Sequence, residues 1–153
     1  MAGLRRILLY ILLIGLTGLA IELLLLGHDE EATQVIPLAL IGVAFAAIGW
    51  HALRHSVASL LAVQITMVLF VAAGMLGIYL HYLANVEFQR EVDPSIGGWA
   101  LFVKAMTAKT PPALAPGSMV QLGLIGLAYS FRYPGPRGTD WRSALADSGR
   151  EEK

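Results

Sequence analysis

The stretch "VASLLAVQITMVLFVAAGMLGIYLHYL", Val57 to Leu83, runs through 27 residues without an aspartate, glutamate, lysine or arginine. A helix rises about 1.5 Å per residue, so ~20 such residues cross the roughly 30 Å hydrocarbon core of a bilayer. This segment is longer than a crossing needs. It is expected to tilt, or to push its Tyr79, His81 and Tyr82 end into the headgroups.

Three more segments have the length and apolarity to accompany it: Ile7 to Leu26, Val35 to Leu53 and Ala113 to Phe131. Pro116 and Gly117 sit where the last of these begins and weaken its first turn. Composition agrees: the 153 residues are 56% hydrophobic and only 14% charged, with mean hydropathy +0.64, and polar surface is too scarce to cover such a chain in water. The expected fold class is therefore an all-α integral membrane protein, a four-transmembrane-helix bundle. The membrane domain is residues 1–133, with an outer loop at 84–112, and residues 134–153 form a mostly disordered tail.

Met1 to Arg6 is a short basic leader, and Gly18-Leu19-Ala20 could pass as a cleavage site. The segment Ile21 to Leu26 stays apolar beyond it, which favours an uncleaved first span.

The loops orient the chain. Arg5 and Arg6 precede the first span, Arg54 separates the second from the third, and Arg132, Arg137 and Arg142 follow the fourth. The first loop carries Asp29, Glu30 and Glu31 and no base. The bias of lysine and arginine puts both termini in the cytoplasm, with a bacterial inner membrane as the expected location. An even number of spans then places the loop from Ala84 to Pro112 outside, against the pull of Arg90, Lys104 and Lys109. Tyr10, Trp50, Tyr129 and Tyr133 fall near the inner interface and Tyr79, Tyr82 and Trp99 near the outer one.

That outer loop has a pattern of its own. Asp93-Pro94 reads as a helix start, and Ile96, Trp99, Val103 and Met106 recur at helical spacing before Pro111-Pro112 ends the run. The result is a short amphipathic interfacial helix, with Trp99 and Phe102 in the membrane surface or capping the bundle. Gly97 and Gly98 work against it at about 1 kcal/mol each. In the tail, Trp141 stands out as a possible docking residue.

Small residues recur at helical spacing in every span: Gly15 and Gly18, then Gly42, Ala46 and Gly49, then Ala73 and Gly77, then Gly123 and Gly126. Such stripes let helix backbones approach closely, where packing drives association in lipid. They serve the bundle itself or a neighbouring membrane protein.

A carboxylate inside an apolar segment is costly unless it is paired, wet or near the surface. Glu22 lies about one turn below the outer end of the first span, and Gln121 about one turn below the outer end of the fourth. His28, His81 and Tyr82 belong to the same side, with Glu87 above. Glu22, His81, Gln121, His28 and Tyr82 thus form the candidate polar site, able to exchange a proton, hold a cation or bind a headgroup. The plainer alternative is that Glu22 reaches the interface or bonds Gln121, while the histidines and Tyr82 decorate the headgroup zone.

His51 and His55 stand four apart, a spacing that can begin a zinc site, but Arg54 between them and the lack of a nearby acid point to headgroup contact. Haem ligation between His51 and His81 fails because they belong to opposite leaflets; His28 with His81 escapes that objection. Thr66 suits a bond to its own helix and Gln64 one to a neighbour. No cofactor or metal is expected. Cysteine is absent, which removes disulfides, thiolate metal sites and thiol–quinone electron transfer.

The 11 basic and 11 acidic residues cancel without a basic block, so nucleic acid is not an expected partner. No phosphate loop, nucleophile elbow, protease helix or calcium loop appears. The expected function is a non-catalytic accessory or interaction subunit of a larger membrane assembly, with the lipid bilayer and other membrane proteins or itself as partners. The alternative is a small oligomeric transporter or carrier built around Glu22 and His81. An enzyme acting on lipid or quinone at the outer surface comes third.

Overall fold

The computed structural model describes residues 2–27, 32–109 and 112–131. His28, the acids of the first loop, Tyr133 and the tail with Trp141 lie outside the described residues. Five helices follow in order: α1 (Ala2–Leu25), α2 (Ala32–Arg54), α3 (Val57–Val92), α4 (Gly98–Met106) and α5 (Leu114–Ser130). Among them α1, α2 and α3 are long and apolar enough to cross a membrane.

Local chemistry explains where the helices stop. α1 ends at Gly27, whose φ of 66° is the left-handed conformation that a glycine cap adopts without strain; its N–H donates to the Leu24 carbonyl at 3.2 Å. Between α2 and α3 the chain reverses through Arg54 and His55, and His55 takes a left-handed φ of 47°. Ser56 then caps α3. Its side chain accepts from Ser59 N–H, and the Ser59 side chain accepts from Ser56 N–H, a reciprocal capping box. In α5, Pro116 falls in the first turn, where its missing N–H would have had no helical partner anyway. The helix therefore begins at Leu114 without delay.

The core gathers Leu12, Leu16, Leu19 and Leu23 of α1, Ile41, Ala44, Ala47 and Ile48 of α2, Val63, Met67 and Phe70 of α3, and Met119 and Leu122 of α5. α3 and α5 share the largest interface, followed by α2 with α3 and α1 with α5, while α1 and α2 meet along a thin seam. α1 and α3 do not pack on each other.

The α3–α5 contact is close because glycines face backbone. A Cβ on Gly74 would stand 2.6 Å from the Pro116 carbonyl oxygen, and one on Gly123 would stand 2.8 Å from the Met67 carbonyl oxygen. Both are below any real contact distance, so only glycine fits there.

The outer segment differs from expectation. α3 is 36 residues long, about 54 Å at the helical rise, and Ala84–Val92 is helix instead of loop. Asp93 ends α3 rather than starting the next helix: its N–H donates to the Gln89 carbonyl at 3.0 Å. Its carboxylate accepts from the Ser95 hydroxyl at 2.6 Å and the Ser95 N–H at 3.1 Å. These bonds, the hydroxyl first, hold the Asp93 carboxyl below the usual carboxylate range. α4 starts later than expected, at Gly98 with φ of 56°, after an extended Gly97. It lies against the end of α3, where Tyr82 and Phe102 rings sit 5.9 Å apart. Asn85 donates from Nδ2 to the Ala105 carbonyl at 3.0 Å, satisfying one of the free carbonyls at the end of α4.

Candidate functional site

Helix register decides whether the expected outer constellation converges. Gly15 faces Leu122, and Gly126 faces Leu12, so α1 and α5 run antiparallel with Gln121 level with Leu16 and Glu22 level with Ala115. About six residues of helix, roughly 9 Å, separate Glu22 from Gln121 along the bundle. Gly77 faces Pro116, which sets Ala115 level with Ile78 and puts His81 about three residues, or roughly 4.5 Å, beyond the level of Glu22.

The three residues therefore occupy three heights on three helices. Glu22, Gln121 and His81 are all exposed, and Tyr82 is half-buried against Phe102. Neither Glu22 nor Gln121 has a hydrogen bond to the other among the described residues. His28 lies outside those residues. Glu87 lines an open furrow with Leu83, Val86, Arg90 and Glu91; all five belong to α3, so the furrow is helix surface and not an enclosed site.

The buried polar chemistry is at the other end of the molecule. His51 is 1% exposed, which departs from the headgroup role its position suggests; His55 is exposed and its ring lies 5.7 Å away. His51 Nδ1 is 3.0 Å from Ser59 Oγ. That same oxygen lies 2.9 Å from the Ser56 carbonyl and 3.1 Å from both the N–H and the hydroxyl of Ser56.

A serine hydroxyl has one proton to give. Ser59 Oγ is thus held between the Ser56 backbone and His51 Nδ1. This arrangement makes a clamp and not a nucleophile, because the hydroxyl is committed and Ser59 is fully buried. The signal in the sequence was Ser56-x-x-Ser59 ahead of an apolar run, a capping-box spacing with serine in place of the usual acid or amide.

Other polar groups tie the same end together. Gln64 Nε2 reaches the Ser130 carbonyl of α5 at 3.5 Å, and Thr66 Oγ1 donates to its own helix at the Ala62 carbonyl, 2.8 Å away. These are the roles their positions suggest. Arg5 donates to the Phe131 carbonyl at 3.2 Å. No group of three histidine or acidic side chains converges to hold a metal among the described residues.

No protein-family model, no curated protein sequence and no solved structure matches the chain. Geometry alone carries the functional reading.

The small residues separate into two sets. Gly15, Gly77, Gly123 and Gly126 all face a neighbouring helix, and Ala73 packs on the core. Gly74, which the sequence pattern missed in favour of Ala73, leaves no room for a Cβ against the Pro116 carbonyl; it pairs with Gly77 three residues on instead of four. Gly18, Gly42 and Gly49 meet nothing within 4 Å of an added Cβ, and Ala46 is exposed beside them.

Proposed function

We propose that the chain is a small polytopic membrane protein that acts as a non-catalytic accessory or interaction subunit of a larger membrane assembly. Its surface supports the membrane part of this reading. Only 22%, 28% and 28% of the apolar windows of α1, α2 and α3 are buried within the protein, so most of their apolar side chains need an apolar solvent. α5, with 17 residues, lies at the short end of what spans a bilayer and completes a four-span bundle. Arg5, Arg6 and Arg54 then mark the cytoplasmic side, with both termini there.

The observation that carries the accessory role is the open small-residue face of α2. Gly42, Ala46 and Gly49 lie at helical spacing, exposed, with no neighbour to accommodate. The protein's own helix contacts use Gly15, Gly74, Gly77, Gly123 and Gly126. A face of this kind admits a foreign helix at close range. The test is affinity capture of the chain from its native membrane, followed by mass spectrometry of wild type and Gly42→Leu/Gly49→Leu. A stoichiometric membrane partner that is present with wild type and lost from the variant supports the reading. Recovery of this chain alone in both cases would favour the alternative, a homo-oligomeric carrier in which a second copy covers Glu22.

A further inference from the structure

We propose that the open edge of α4 seats in the headgroup layer at the end where α3 overhangs, and that Lys104 and Lys109 make it selective for anionic phospholipid. This rests on the membrane-spanning reading above and names the ligand that α4 meets.

Height comes first. α3 starts directly after the α2–α3 turn, so a crossing of ~20 residues reaches the hydrocarbon boundary near Leu76 to Leu80. α4 is held to the next turns of α3 by the Tyr82–Phe102 ring contact and the Asn85 bond to Ala105. That places it within about 10 Å of the boundary at the helical rise.

The second argument is the face. Leu101 and Ala105 are buried toward α3, whereas Trp99 remains 75% exposed and stacks at 5.0 Å on Phe102, itself exposed beside Val103. A Trp–Phe pair left open at headgroup depth gains by entering the interface, which favours amphipathic rings. Charge is the third. From Gly97 through Lys109 there is no acid, and Lys104 and Lys109 are both exposed, Lys104 within reach of the Asp93 carboxylate and Lys109 clear of it in sequence. Lys104 on the aromatic-edged helix and Lys109 just beyond its end complement phosphate groups of anionic lipid.

The experiment uses the full chain in nanodiscs of phosphatidylcholine alone, or of phosphatidylcholine with phosphatidylglycerol. One variant keeps only Trp99 (Trp50→Phe, Trp141→Phe) and another keeps only Trp50, which lies in α2 and reports insertion. The expected result is a blue-shifted Trp99 emission quenched by lipids brominated near the headgroup. Quenching should be stronger in the anionic discs, and Lys104→Gln/Lys109→Gln should abolish that difference.

Trp99 quenched by aqueous iodide in both discs overturns the proposal. So does protection from both quenchers, which would mean that protein covers the edge. Equal lipid quenching in the two discs overturns the anionic selectivity. If Trp50 itself escapes lipid quenchers, the membrane-spanning reading has failed and not only the placement of α4.

Discussion

His51 Nδ1 and Ser59 Oγ, 3.0 Å apart, join the last turn of α2 to the first turn of α3 across a buried polar bond. Ser59→Ala removes that hydroxyl, one half of the capping box and the partner of a buried imidazole. The expected cost is about 1 to 3 kcal/mol, read as an earlier unfolding transition in detergent. Ser56→Ala, which spares the imidazole, should cost less. Equal effects would show that the cap and not the histidine dominates.

Gly74 and Gly123 predict a sharp contrast with Gly18 and Gly42. Alanine at either of the first pair would push a methyl into a facing carbonyl, and strain of this kind costs about 1 to 3 kcal/mol. Alanine at either of the second pair meets open space and should stay within roughly 0.5 kcal/mol of wild type. Thermal melts of the four single variants measure this directly.

Glu22 predicts a near-null stability effect. Its exposed carboxylate lies at a different height from Gln121, so it does not tie α1 to α5. Glu22→Gln and Glu22→Leu should both melt within roughly 0.5 kcal/mol of wild type in detergent. A loss of about 0.6 to 2 kcal/mol in the leucine variant alone would point to an interhelical hydrogen bond instead.

Asp93 sets a pH dependence with a definite sign. Its folded-state carboxyl is held low by Ser95, so the stabilisation it adds is present above the ordinary carboxylate value and is lost as pH falls through the folded one, below about pH 4. Ser95→Ala should return the Asp93 titration toward the ordinary value. Carboxyl NMR of labelled protein checks both the direction and the size.

Topology is the fifth expectation. A reporter active only outside the cytoplasm, inserted in the α3–α4 turn at Ser95, should be on, and one fused after Ser148 should be off. The reverse pattern would move α4 and Glu22 to the cytoplasmic side.

Much of the helix layout was legible because apolar length is a strong signal: the expected Val35–Leu53 lies inside α2, and Val57 starts both the expected third span and α3. The end of α3 was not legible. Residues such as Asn85, Gln89 and Arg90 look like loop by polarity, yet they are helical; Tyr82 and Asn85 find partners in α4, and the turn at Asp93 is closed by Gln89 and Ser95. Asp93-Pro94 read as a start for the same reason that it works as a stop: a short acidic side chain bonds nearby N–H groups in either setting. Among the site residues, depth along each span could be counted, but which side of a helix faced a neighbour could not. Hence Glu22 and Gln121 could be placed in one leaflet without showing that both look outward. His51 was misjudged by the same route, since Ser59 lies eight residues away and only the reversal at His55 brings it back.

The Arg5 bond to the Phe131 carbonyl, 3.2 Å long, brings the two ends of the helical assembly together. α1 is made first, yet the helix it packs on most extensively, α5, is made last. During synthesis α1 must wait, with only its thin seam to α2, until α5 has emerged. A circular permutant that links residue 131 to the start of α1 and opens the chain elsewhere would bring α5 and α1 out as a hairpin, and should assemble sooner than the natural arrangement.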